Sequence, residues 1–207
     1  MKIEDGEFLL RLGRAALTLW LEEGLTTEPP DDLPEEVKIR RGMWMTLYGY
    51  PHHVHRASMG VLHDPPAIAE AAINASLLLA RPETGITPQI TFNELATSTL
   101  ELSIASELTH LAPDDATDMA NLIVPGRHGV ILEDEERRVI LPPHVVVTSP
   151  PTMPRFLDTV CERCGLDPEF WRHPDTVIAT FTVEVFAELA PMGEIVRRDA
   201  LDSGEPG

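Results

Sequence analysis

Histidines crowd one short stretch of the chain. His52, His53 and His55 fall within four residues, and His63-Asp64 follows soon after. On an extended strand, residues two apart point to the same side, so His53 and His55 would present two imidazoles together. Imidazole suits a divalent transition metal. If the hairpin folds back, His63 or His128 could supply a third ligand and leave a position open for water. An exposed polar loop tip would carry the same letters. The next residues offer different chemistry. Arg56 provides a rigid fork for a carboxylate or phosphate, Ser58 a hydroxyl, and Gly60 close backbone approach to a ligand. As a nucleophile, Ser58 would need a base, His55 or His128, within about 3 Å. The competing reading is a strand end whose arginine braces a structural carboxylate.

Two further clusters stand out. Gly126-Arg127-His128-Gly129 brackets a cation and an imidazole between glycines, as a tight turn presenting both side chains would. A plain hairpin-entry turn gives the same pattern. Arg56, Ser58, Gly60, Arg127 and His128 are thus the candidate ligand-binding residues, with Ser58 and His128 as candidate catalytic groups. Cys161-Glu162-Arg163-Cys164 has metal-ligand spacing, but no second Cys or His pair accompanies it. Both thiols fall on the apolar stripe of a helix, where free cysteine acts as a small hydrophobe. No motif names a cofactor.

These residues must be held by the elements around them. Residues 6–24 read as a helix, with Phe8, Leu12, Ala15, Ala16 and Leu19 at helical spacing and Gly24 as a stop. Met43–Leu47 reads as a strand, Gly49-Tyr50-Pro51 as a turn, and Val54–Gly60 as the antiparallel partner. Pro66 opens a second helix with Ile68, Ala72, Ala75 and Leu79 on one face. Leu100, Leu102 and Ile104 alternate with polar or small residues, the period of a half-buried strand. Val130–Leu132 and Val139–Leu141 flank an acidic turn. Thr152 can cap a third helix that Gly165 ends, and Val177 to Val185 gives one long alternating strand. Strands arrive as hairpins and helices do not strictly alternate with them, so the expected class is α+β, an antiparallel hairpin-rich sheet flanked by helices. The domain is expected over 1–190, with 191–207 as a tail.

Composition narrows the function classes. Asp and Glu number 34 against 16 Lys and Arg, a formal charge of −18. That balance disfavours a nucleic-acid backbone or an anionic membrane as partner. No run of apolar residues is long enough to span a bilayer, no signal peptide is apparent, and two cysteines make no disulfide framework. A cytoplasmic location is expected. Lys2 and Lys38 are the only lysines, a bias that fits either a salty cytoplasm or a GC-rich genome.

The order of the segments carries a resemblance. Gly42-Met43-Trp44-Met45-Thr46-Leu47 precedes a turn and His55-Arg56-Ala57-Ser58-Met59-Gly60; then come Gly126–Ile131, Leu141-Pro142-Pro143-His144-Val145, Phe156-Leu157, Cys161, Cys164-Gly165-Leu166, Trp171, Phe181 and Phe186-Ala187-Glu188. Over roughly Gly6 to Glu188 the chain resembles the AMMECR domain family, the protein A type of the AmmeMemoRadiSam system. The family's usual Leu-Arg-Gly-Cys-Ile-Gly keeps only Arg56 and Gly60 here, and Ser58 stands at the family's cysteine. Leu79-Ala80-Arg81-Pro82 lacks the Asp and Phe of a second family segment, so this is a divergent member. The resemblance implies two unequal α+β parts with a cleft. It also implies Memo-type and radical S-adenosylmethionine proteins as partners. No established reaction comes with it.

Overall fold

The computed structural model describes residues 1–81, 84–85, 88–111, 122–143 and 152–198. The expected α+β class holds, and the chain divides into two compact units. The first comprises residues 1–105 and the segment returning from Glu184; the second spans 106–183.

The first unit opens with α1 (Ile3–Glu23), closed by Gly24 in the left-handed region at φ 69° with its N–H bonded to the Trp20 carbonyl. Strands β1 (Met43–Gly49) and β2 (Val54–Val61) form the expected hairpin. Helices α2 (Ile68–Ala80) and the short α3 (Phe92–Ala96) follow, then β3 (Ser98–Ala105). Two strands from the end of the chain complete a five-stranded sheet in the order β2-β1-β3-β8-β9, with β8 at Val183–Glu188 and β9 at Ile195–Arg198.

Period-two alternation gives this sheet two different faces. Met43, Met45 and Leu47 of β1, with Leu100, Leu102 and Ile104 of β3 and Phe186 of β8, join Leu9, Leu10 and Leu17 of α1 and the alanines of α2 in one core. Gly13 lets α1 lie close to both α2 and β1, since a β-carbon there would overlap Ser76 Oγ and lie 2.7 Å from Met45 Cε. Within this packing Arg14 of α1 holds Glu188 of β8. Arg14 Nε donates to Glu188 Oε1 at 2.6 Å, its Nη2 pairs with Oε2, and the fork also reaches the Leu95 and Ser98 carbonyls at 3.1 and 2.8 Å.

The second unit is a four-stranded antiparallel sheet in the order β4-β7-β5-β6. Its strands are β4 (Thr109–Leu111), β5 (Gly129–Glu133), β6 (Arg138–Leu141) and β7 (Val177–Phe181). Helix α4 (Met153–Arg163) packs Phe156, Leu157, Val160 and Cys161 against Val130, Leu132, Trp171 and Ile178.

Three expectations change. The single strand from Val177 to Val185 is two strands, β7 and β8, each in a different sheet; its alternation runs on through Thr182 and hides the break. The segment read as a tail from 191 supplies β9, a strand too short for its period to register; residues 199–207 lie outside the described residues. Strand β3 is buried along its whole length rather than on one side.

Candidate functional site

The face of the first sheet opposite the helices carries polar side chains in cross-strand rows. Thr46 of β1 faces Ser58 of β2 on one side and Glu101 of β3 on the other. Tyr48 lies between His55 and Thr99, and Trp44 between Gly60 and Ser103. Directly opposed residues in antiparallel strands bring their side chains into contact range. Thr46, Thr99, Glu101 and Ser103 are all buried. Gly60 is fixed by its neighbour: a β-carbon there would sit 2.8 Å from both the Met43 carbonyl oxygen and Trp44 Cβ.

At one end of the Thr46 row, Ser58 Oγ lies 2.8 Å from Thr46 Oγ1 and 2.9 Å from His55 Nε2. Strand β2 is the sheet edge, so Ser58 is half-buried and His55 exposed while Thr46 is covered. Of the two bases expected for Ser58, His55 is within reach.

At the other end stands Glu101, with 4% of its side chain exposed and Arg198 Nη1 of β9 at 3.9 Å from its Oε2. That distance permits charge attraction but not a hydrogen bond, and Oε2 is buried with no hydrogen-bond partner. Burial pushes the Glu101 carboxyl up to about 7, with Arg198 pulling the other way. The Tyr48 hydroxyl is raised by burial and by the Glu101 charge. His53 stacks on the Tyr48 ring, centroids 3.9 Å apart. Burial, followed by the Arg198 charge, lowers its pKa, and its Nε2 is a second buried polar atom with no hydrogen-bond partner. This group can accept a hydrogen bond, attract an anion and hold a proton near neutrality.

The other expected site residues fall elsewhere. Arg56 braces β2 to α3, donating from Nε to Glu94 Oε1 at 2.5 Å and from Nη2 to the Pro88 carbonyl. Arg127 and His128 belong to the second unit. There the His128 backbone N–H bonds the Val124 carbonyl at 2.9 Å and its Nδ1 accepts from the Val124 N–H at 3.1 Å, closing the turn that Gly126 enters at φ 81°.

The histidine trio is not assembled. His53 is not on a strand but in the hairpin turn at φ 52°, so strand alternation does not align it with His55. His63 follows the far end of β2, and eight strand residues span on the order of 25 Å. Among the described residues no group of three or more His, Cys, Asp or Glu side chains is placed to hold a metal ion. Cys161 is a free, buried core thiol; Cys164, also free, is half-buried beside it, and burial raises both pKa values. No described helix is long and apolar enough to cross a membrane.

Sequence reasoning found Ser58 and missed Thr46, Tyr48, Glu101 and Arg198. A signal existed for Glu101. The alternation of β3 places it with Thr99 and Ser103 on a face of small polar residues, where a solvated strand would more often carry several charges. Arg198 carries none, because β9 is four residues long and too short for its period to register.

Comparisons with known proteins agree with the resemblance read from the sequence. The AMMECR1 family model matches residues 10–186. A Methanopyrus kandleri protein is 31% identical over 96% of each chain, and a Thermococcus gammatolerans protein is 33% identical over 96% of this chain and 97% of its own. The crystal structure of the uncharacterized protein PH0010 from Pyrococcus horikoshii superposes with a TM-score of 0.84 at 31% identity, covering 96% of this chain and 98% of that one. The chain belongs to the AMMECR1 family.

Proposed function

We propose that this protein binds a small polar ligand on the polar face of its first sheet. The ligand carries an N–H donor for Glu101 and an acidic group for Arg198, as a free amino acid or its N-acyl derivative does. One observation carries this reading: Glu101 Oε2 is buried, in a row of polar side chains, with no hydrogen-bond partner. Leaving a buried acceptor unpaired costs about 1–3 kcal/mol, and more for a charged group. A buried polar group left unpaired calls for an explanation, and a bound ligand supplies one here. The carboxyl's position near 7 suits it to meeting either an amide or an ammonium. Arg198 takes the anion-binding role that the sequence suggested for Arg56, whose fork is engaged by Glu94 and Pro88.

In this reading the protein is the ligand-binding member of a cytoplasmic modification system, acting beside Memo-type and radical S-adenosylmethionine proteins. The net charge of −18 keeps nucleic acid off the partner list.

The test is thermal denaturation of the wild type and Glu101→Gln against the free amino acids and their N-acyl derivatives. A ligand present at 100 times its Kd stabilises by about 2.7 kcal/mol. At least one compound should raise the wild-type melting temperature and leave that of Glu101→Gln unchanged. Equal shifts in both proteins, or none in either, would contradict the proposal.

A further inference from the structure

We infer that Ser58 is a nucleophile activated by His55, and that the ligand of this face is an acyl compound, an ester whose carbonyl lies over Ser58 while its polar head reaches Glu101. This deepens the binding reading above and rests on it for the position of the head. Ser58 Oγ has two neighbours with distinct roles. Thr46 Oγ1, buried and 2.8 Å away, can donate to Ser58, which frees the serine proton to point at His55 Nε2, 2.9 Å away. That arrangement uses the His55 tautomer protonated on Nδ1. A hydroxyl that accepts one hydrogen bond while giving its proton to an imidazole is the arrangement a serine nucleophile needs.

Placement on the sheet supplies the rest. Ser58, Thr46 and Glu101 occupy one row across β2, β1 and β3, so Ser58 and Glu101 stand about 10 Å apart, two strand spacings, and project from the same face. His55 and Ser58 are on the edge strand, one exposed and the other half-buried, so water can enter at the reacting end while the Glu101 end stays covered.

The step balances without any further reagent than water. Ser58 Oγ bonds to the carbonyl carbon as its proton passes to His55 Nε2. The bond to the leaving alcohol breaks, and the alcohol takes that proton. Water then attacks the acyl-serine, giving a proton to His55, which returns it to Ser58 Oγ as the acid leaves. The sum is ester plus water to acid plus alcohol.

A fluorophosphonate probe tests the nucleophile directly, because serine displaces its fluoride only when activated. Intact-mass and peptide mapping of the full chain should show a single adduct on Ser58, absent in Ser58→Ala. Positioned bases contribute about 10²–10⁴-fold, so His55→Ala should slow labelling by about a hundredfold or more while its melting temperature stays near that of the wild type. No adduct on folded wild-type protein, an adduct that persists in Ser58→Ala, or labelling of His55→Ala at the wild-type rate would each overturn the inference. The amino-acid thermal shift of the wild type reports binding alone. If that shift is present and the adduct is absent, the nucleophile is wrong and the binding site stands; if both are absent, both fall.

Discussion

Two glutamates of the first unit lie on opposite faces of one sheet and meet opposite fates. Glu188, on the helix-covered face, is held by two atoms of the Arg14 fork and by the Leu100 N–H at 2.9 Å. Glu101 is about as deeply buried, yet its cation stands 3.9 Å off and one oxygen has no hydrogen-bond partner. A buried charge with every bond made is scaffold, because removing it leaves its partners stranded. A buried charge with a bond unmade is held at a cost, and that cost marks a place where another molecule can supply the bond.

Breaking the first member of the pair should have the largest effect. Glu188→Ala strands the Arg14 guanidinium inside the core, which typically costs about 3–5 kcal/mol. For a chain of this length that is a loss of roughly 10 °C or more in melting temperature, and thermal denaturation checks it. A loss under about 1 kcal/mol would show that Glu188 is not the anchor described.

Glu101 should behave differently, and pH separates the two. Its folded pKa is raised, to about 7 from 4.5. Below pH 4.5 both folded and unfolded forms hold the proton and nothing is lost. Between 4.5 and 7 the unfolded chain ionises while the folded one does not, so stability falls as pH rises, and the loss is complete above 7. The stability of Glu101→Gln minus that of the wild type should therefore grow across this window, by up to about 3 kcal/mol. Denaturant melts of both proteins at pH 4.5, 6 and 7.5 measure it, and a flat difference would contradict the assignment.

Much of the framework behind this comparison was legible. The Gly49–Pro51 turn between apolar runs announced the β1–β2 hairpin, and alternation at Leu100, Leu102 and Ile104 announced β3. The same alternation said that Glu101 lies opposite the core but not that its face is buried, because period two reports sidedness and never what covers a side. Ser58 and His55 were visible as chemistry, since they are close in sequence. Arg198 joins Glu101 across nearly a hundred residues, and no local pattern carries such a contact. His53 escapes the strand period because it is itself a left-handed turn residue just before β2.

Arg198→Ala sharpens the comparison at smaller scale. Arg198 lowers the Glu101 pKa, so its removal should move the pH window of the Glu101 effect upward from about 7; a downward move would contradict the pairing. Arg56→Ala should have the smallest effect. Its pair with Glu94 is partly solvated, and such pairs contribute about 1 kcal/mol or less. The variant should melt slightly earlier and bind amino acids as the wild type does. Lost binding with unchanged melting would return Arg56 to the site.

The most direct measurement is the ¹³C NMR titration of the Glu101 side-chain carboxyl, assigned by Glu101→Gln, with and without an amino acid that stabilises the protein. The free protein should titrate near pH 7 at this residue, and the ligand ammonium should draw the midpoint down by favouring the ionised form. A midpoint in the ordinary carboxylate range, or one indifferent to the ligand, would mean that Glu101 is not the group the ligand meets.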